Sequence, residues 1–198
     1  MKKIQLIIVI LLGFIACTSC SGDGKYRKES EAALLKTLKT PSTYKMVSFE
    51  LLEKETLSQQ IQERISYFEE TLENDRKEVL STKETIKDFE KKDYMREFIP
   101  MEKANLADAE KKVADDLKMV NFLKKQYDLD SGKLNTVVSR TYRLTYDAAN
   151  SFNAMLRSYM DFRFNEDGVL TAIKPEDDSW SIVGNFFSIP GYYEALNK

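Results

Sequence analysis

The fold is decided by residues 57–128, a highly charged stretch that reads LSQQIQERISYFEETLENDRKEVLSTKETIKDFEKKDYMREFIPMEKANLADAEKKVADDLKMVNFLKKQYD. It has one proline, and it carries 14 basic and 17 acidic side chains among its 72 residues. The nearest glycines on either side are Gly24 and Gly132. A stretch of this composition offers few positions at which the chain can turn, so helix is the expected conformation.

Apolar side chains recur in this stretch at the spacing of a supercoiled helix. In the first half they alternate at intervals of four and three residues: Ile61, Ile65, Phe68, Leu72, Val79, Ile86 and Phe89, with Asp75 and Thr82 as polar exceptions. In the second half they repeat every seven residues: Ile99, Leu106, Val113, Val120 and Tyr127, supported by Ala109, Leu117 and Leu123. The pattern predicts two helices packed along a common apolar seam.

Two arrangements satisfy this pattern. One is an antiparallel helical hairpin within the chain, and the other is a single long helix that pairs with a second copy. Pro100 and the similar lengths on either side of residue 92 favour the hairpin. Each arm would then be about 54 Å long at 1.5 Å per residue.

The flanking residues predict an α+β body. An amphipathic helix is expected over 26–40, with Asp23 as a candidate cap and Pro41 at its end. Period-two alternation predicts strands over 44–54, 138–146, 154–164 and 169–174, and the first would place Val47, Phe49 and Leu51 on one face. Turns are expected at 150–153 and 165–168, and the aromatic-rich residues 175–198 are expected to cover this body.

The predicted fold class is therefore α+β. It consists of an N-terminal helix and a four-stranded antiparallel sheet forming a roll, with a long helical hairpin inserted after the first strand. We assign residues 1–20 to a signal and lipidation region, residues 21–56 and 130–198 to the two parts of the body, and residues 57–129 to the coiled-coil hairpin.

The N-terminus has the organisation of a secretory signal peptide. A short basic start, Met1 to Lys3, precedes a run of 13 mostly apolar residues from Ile4 to Ala16. That run is too short to span a bilayer and has the length of a signal-peptide core.

The end of this leader resembles a bacterial lipoprotein signal. Phe14-Ile-Ala-Cys17 has an apolar and a small residue at the expected positions, while Thr18-Ser-Cys-Ser21 resembles the endings of Bacteroidetes lipoproteins. Cys17 is preferred as the lipidated residue, and Cys20 stays open. The resemblance implies a lipid anchor with acyl chains such as palmitate, and attachment to the outer membrane of the cell envelope. The single acid Asp23 stands where surface-exported lipoproteins carry an acidic cluster, which favours the periplasmic face.

Two further segments resemble small uncharacterised bacterial lipoproteins with a cystatin-like roll. They are Leu38-Lys-Thr-Pro-Ser-Thr-Tyr44 and Tyr146-Asp-Ala-Ala-Asn-Ser-Phe152. Asn153 stands where that pattern has glycine, and the helical insertion departs from it. The resemblance implies structural or binding roles and supplies no catalytic residues.

The composition argues against most catalytic chemistry. Histidine is absent, and the only cysteines lie in the leader, so histidine-based catalysis and zinc or thiol sites are not expected in the mature body. Adjacent acids such as Asp115-Asp116 are interpreted as solvated surface. The net charge of −2 lacks the basic excess of a nucleic-acid binder. We therefore expect no enzyme activity, no cofactor, no metal and no nucleic-acid partner.

The candidate binding residues lie at the link between the two helices. Five apolar side chains occur there within eight residues: Tyr94, Met95, Phe98, Ile99 and Met101. They are expected either to close the hairpin end or to contact a protein partner. The second reading makes the protein a membrane-anchored periplasmic scaffold. The alternative is a periplasmic holdase chaperone for unfolded envelope proteins, against which the mature net charge counts: loss of Lys2 and Lys3 leaves 28 − 32 = −4.

Overall fold

The computed structural model describes residues 22–129, 131–176 and 178–197, so the predicted leader with Cys17 and Cys20 lies outside the described residues. The helices are α1 (Gly24–Leu35), α2 (Leu57–Glu90), α3 (Ile99–Leu129) and α4 (Tyr192–Leu196), with short 3-10 turns at Pro41–Thr43 and Asp93–Phe98. The strands are β1 (Lys45–Thr56), β2 (Val137–Ala149), β3 (Met155–Asn165), β4 (Leu170–Pro175) and β5 (Ser181–Ile182). The predicted α+β architecture, with a long hairpin after the first strand, is confirmed.

The chain forms two compact units. Residues 22–55 and 137–186 form the sheet unit, and residues 56–136 and 187–197 form the hairpin unit. The sequence assigned the whole C-terminal segment to the sheet, whereas residues 187–197 belong to the hairpin unit. These C-terminal residues belong to the hairpin unit because their aromatic side chains pack around an arginine of α2, as described below.

The sheet is antiparallel, with its five strands in chain order. β2 and β3 form the longest described pairing, in which Tyr142 lies opposite Phe162. The two predicted turns are present: Asn150 Oδ1 accepts hydrogen bonds from the backbone N–H of Phe152 at 2.8 Å and of Ala154 at 3.1 Å. Strand β5, which was not predicted, adds only two residues next to β4.

The core of the sheet unit lies between α1 and one face of the sheet. It consists of Leu34, Tyr142, Leu144, Tyr146, Ala148, Met160, Phe162 and Phe164. Tyr142 is its centre: its ring stacks on Phe49 and on Tyr26, each with a centroid distance of 4.9 Å. Its hydroxyl donates to Asp23 Oδ1 at 2.8 Å, so one residue connects α1, β1 and β2.

The predicted face of β1 is partly wrong. Met46 and Phe49 pack against the core, while Val47 and Leu51 are exposed. Met46 and Phe49 are three positions apart, which does not fit strict alternation along a strand. The alternation in the sequence therefore assigned the wrong residues of β1 to the face that packs on the core.

The opposite face of the sheet buries charged groups. Arg163 donates to Glu55, and the guanidinium also lies 4.1 Å from the centre of the Phe186 ring. Both side chains of this ion pair are less than 10% exposed. Ser139 Oγ donates to the same carboxylate at 3.1 Å, so the buried charge pair has an additional hydrogen bond.

The hairpin unit has the predicted seam. Most of the predicted seam residues are buried or half-buried, and the exception is Leu117, which is 41% exposed. Helix α2 begins with a capping box in which Thr56 and Gln59 exchange hydrogen bonds. The base of the hairpin is closed by backbone bonds from Leu57 N to Thr136 O at 3.0 Å and from Ser58 N to Leu134 O at 2.9 Å.

The C-terminal segment packs on this base around Arg64. The guanidinium lies 4.1 Å from the ring centre of Tyr67, 4.8 Å from that of Phe187 and 5.7 Å from that of Tyr192. The amide of Ser188 donates to Gln60 Oε1 at 2.9 Å. Cation–π contacts and a partly buried amide hydrogen bond therefore attach residues 187–197 to α2.

Candidate functional site

The link between α2 and α3 is a compact, ordered turn. Backbone bonds from Lys92 N to Phe89 O and from Met95 N to Lys92 O continue the chain from α2 into the 3-10 turn. Pro100 lies in the first turn of α3, where its missing N–H removes no helical hydrogen bond. These local bonds fix the position of the five apolar residues that the sequence indicated.

Those five residues divide into two groups. Met95 and Ile99 are half-buried, and Phe98 contacts Phe89 edge to face with a centroid distance of 6.3 Å. Tyr94 and Met101 are mainly exposed, at 74% and 55%, and Phe98 is also 41% exposed. Part of the cluster therefore closes the hairpin end, and Tyr94, Phe98 and Met101 form an exposed surface, which we call the tip surface.

Charged residues border the tip surface and are paired with each other. Lys91 binds Asp88 at 3.0 Å, and Arg96 binds Asp93 at 3.0 Å. The Lys91 ammonium lowers the pKa of Asp88 below its usual range. All four side chains are exposed, so these pairs contribute little to stability, and they leave the tip surface apolar with a polar rim.

A second feature of the hairpin is a carboxyl pair across its seam. Asp75 of α2 and Asp116 of α3 lie within hydrogen-bonding reach once one of them is protonated. Burial, followed by the charges of Asp75 and Asp115, raises the pKa of Asp116. The interpretation of Asp116 as solvated surface is therefore wrong: it is half-buried, and its Oδ2 has no hydrogen-bond partner among the described residues.

We expect Asp116→Asn to stabilise the hairpin at neutral pH and to leave its stability nearly unchanged at pH 3, below the unfolded pKa of an aspartate. The pKa of Asp116 is raised in the folded state. The contribution of its protonated form to the free energy of unfolding is therefore fully present below the unfolded pKa, and it is lost as the pH rises through the raised value. The gain at pH 7 is on the order of 0.5 kcal/mol, because the site is partly solvated. Urea unfolding followed by circular dichroism at both pH values measures it.

Asp115→Asn is the matched control for this prediction. Asp115 is next in sequence but exposed, and it influences Asp116 only through its charge. Its substitution should give a smaller gain at pH 7. An Asp116→Asn gain that persists unchanged at pH 3 would contradict a raised pKa of Asp116 as its cause.

The remaining predicted sites have less structural support. The two candidate lipidation residues, Cys17 and Cys20, lie outside the described residues. Within 22–129, 131–176 and 178–197, no three acidic or sulfur side chains converge in a way that would bind a metal ion. No helix in the same ranges combines the length and apolar character needed to cross a membrane.

The Asp75–Asp116 pair was not predicted from the sequence. Asp75 stood out as a polar residue at a seam position, which is a usable signal. Its partner was not identifiable, because the pairing depends on the register between the two helices, and a heptad pattern leaves that register open.

No family model, curated protein or solved structure matches this chain.

Proposed function

We propose that this protein is a lipid-anchored, non-catalytic scaffold of the bacterial outer membrane that faces the periplasm and binds a protein partner through the tip surface. The observation that carries the proposal is the exposure of Tyr94, Phe98 and Met101 at the end of the hairpin. Apolar side chains held on an ordered turn and left in water are typical of contact surfaces.

The composition of the tip surface supports a protein partner. Tyrosine, phenylalanine and methionine are enriched at the centres of protein interfaces, and the paired charges around them are typical of an interface rim. The lipid anchor rests on the leader sequence, with Cys17 or Cys20 as the attachment residue.

Site-specific photo-crosslinking in intact cells tests this proposal. With p-benzoylphenylalanine in place of Tyr94 or Met101, we expect one dominant adduct with another protein, identified by mass spectrometry. The double substitution Tyr94→Ala and Met101→Ala should lower capture of that protein by a crosslinker at Phe98 at least tenfold, because hot-spot residues contribute about 2 kcal/mol or more each.

Leu80 provides the matched control position. It is 63% exposed and lies on α2 away from the link, so a crosslinker there reports non-specific contacts with the hairpin. Equal adduct yields at Leu80 and Tyr94, or none at either, would contradict a specific partner at the tip surface.

The alternative is a holdase chaperone, and exposed apolar groups along the arms favour it. Tyr67, Leu80 and Leu117 are 41–63% exposed, and an open groove of 420 Å³ beside Leu80 is lined by Val79 and Val113. A holdase would give many weak adducts at both positions and would suppress aggregation of an unfolded outer-membrane protein. A single adduct confined to the tip surface would contradict it.

A further inference from the structure

The described chain begins at one end of the sheet unit, beside the turn between β3 and β4. Lys25 Nζ donates to the carbonyl of Asp167 in that turn at 2.9 Å. A Cβ placed on Gly168 would lie 3.2 Å from the Tyr26 ring, so α1 and the turn are in close contact. The start of α1 is thereby fixed at this end of the sheet.

Three exposed aliphatic side chains lie at the same end. Val169, Ile182 and Val183 are 55%, 64% and 57% exposed. Val169 directly follows the turn, and β5 pairs with β4 next to it: Val183 N donates to Thr171 O at 2.9 Å and Ile182 lies opposite Ala172. We call these three residues the anchor-end patch.

The candidate lipidation residues are only a few residues upstream. Cys20 precedes Gly22 by two residues and Cys17 precedes it by five. At no more than about 3.6 Å per residue, a lipidated cysteine lies within roughly 7 or 18 Å of Gly22. A chain lipidated at either position cannot hold this end of the sheet unit far from the bilayer.

We propose that the anchor-end patch rests on the lipid bilayer and orients the sheet unit at the membrane surface. This inference rests on the lipid anchor of the proposed function and adds a second contact to it. We assign this contact to apolar side chains and not to charge. The same end carries charges of both signs, such as Lys25 and Lys28 of α1 and Glu166 and Asp167 of the turn, so it offers no uniform charge that would attract lipid headgroups. Aliphatic side chains that a nearby anchor holds at the headgroup boundary add apolar burial to that of the acyl chains.

The opposite end of the sheet supplies an internal control. The turn between β2 and β3 exposes Phe152, Met155 and Leu156, with Phe152 at 88%. This end is more apolar than the anchor-end patch. It is separated from it by the eleven residues of β3, about 34 Å when fully extended as a strand. Apolar character alone would favour membrane contact at Phe152, whereas proximity to the anchor favours Val183.

The test uses the full chain in cells whose phospholipids are labelled with ³²P. Variants carry p-benzoylphenylalanine in place of Val183, Val169 or Phe152, and ultraviolet light links the benzophenone to neighbouring C–H bonds. We expect radioactive lipid on the purified protein at Val183 and Val169, at least fivefold above the yield at Phe152. Circular dichroism confirms that each variant is folded, which is expected because all three positions are exposed.

Other results would overturn the inference. They are equal or higher lipid yield at Phe152, a protein adduct at Val183, or an internal adduct to residues 4–16, which would show that the apolar leader covers the patch. Metabolic labelling with palmitate and membrane fractionation separate this failure from that of the anchor. An acylated, membrane-bound protein without lipid adducts overturns the patch contact alone, while an unacylated, soluble protein contradicts both proposals.

Discussion

Replacement of Glu55 by leucine is expected to lower the free energy of unfolding of the sheet unit by about 3–5 kcal/mol. The substitution leaves the Arg163 guanidinium buried without its carboxylate, and Ser139 without its acceptor. Removing one partner of a buried ion pair is costly, because the remaining charge is neither paired nor hydrated. Urea unfolding followed through Trp180, the only tryptophan of the chain and a residue of the sheet unit, measures the loss.

Two further variants separate the buried charge from the loss of the ion pair. Combining Glu55→Leu with Arg163→Met removes both charges and should recover most of the stability, since an apolar pair of similar volume replaces a buried salt bridge with little loss. Arg157→Met removes an ion pair with Asp147 whose arginine is 65% exposed, and it should cost less than about 1 kcal/mol. If the double variant were as unstable as Glu55→Leu, the buried charge would not be the cause.

Truncation of Tyr142 to alanine is the second large effect, with an expected loss of about 3–5 kcal/mol. The side chain is 1% exposed and contacts Tyr26 and Phe49 on two other elements. Its removal leaves a cavity at the centre of the core and separates α1 from the sheet. The same unfolding experiment measures it, and increased proteolysis of α1 is expected in addition.

Tyr142→Phe distinguishes packing from hydrogen bonding at this position. It keeps the ring and removes only the hydroxyl that donates to Asp23, so a loss of about 1 kcal/mol is expected. Burial and the Asp23 carboxylate raise the pKa of this phenol, so it stays protonated throughout the physiological range and the bond is insensitive to pH there. A loss equal to that of alanine would contradict ring packing as the main contribution.

The helical hairpin was predictable because its signals are local and repeated. The absence of glycine, the seven-residue spacing and Pro100 predicted two arms that the structure places at Leu57–Glu90 and Ile99–Leu129. The turn at 165–168 was predictable for the same reason. Its Gly168 adopts a φ of 77°, a conformation that glycine adopts without strain.

The parts that could not be predicted depend on contacts between residues far apart in sequence. The ion pair of Glu55 and Arg163 joins residues 108 positions apart, and a glutamate in an exposed-looking strand carries no local sign of burial. Strand β5 has only two residues, which is too short for alternation to be recognised. At the hairpin end, the sequence identified the five apolar residues, but only the packing of Phe98 on Phe89 separates those that close the helices from those left in water.

The hairpin is inserted between two strands that are neighbours in the sheet, β1 and β2. The sheet therefore requires only that the insertion begin and end at adjacent points. The backbone bonds of Leu57 to Thr136 and of Ser58 to Leu134 hold the two ends of the insertion together and meet this requirement. Seven residues could be added to each arm between the link and the part of the hairpin on which residues 187–197 pack. They would preserve the seam and lengthen the hairpin by about 10.5 Å. The length of the hairpin is thus a quantity that insertion or deletion of whole heptads can change while the sheet unit keeps its sequence.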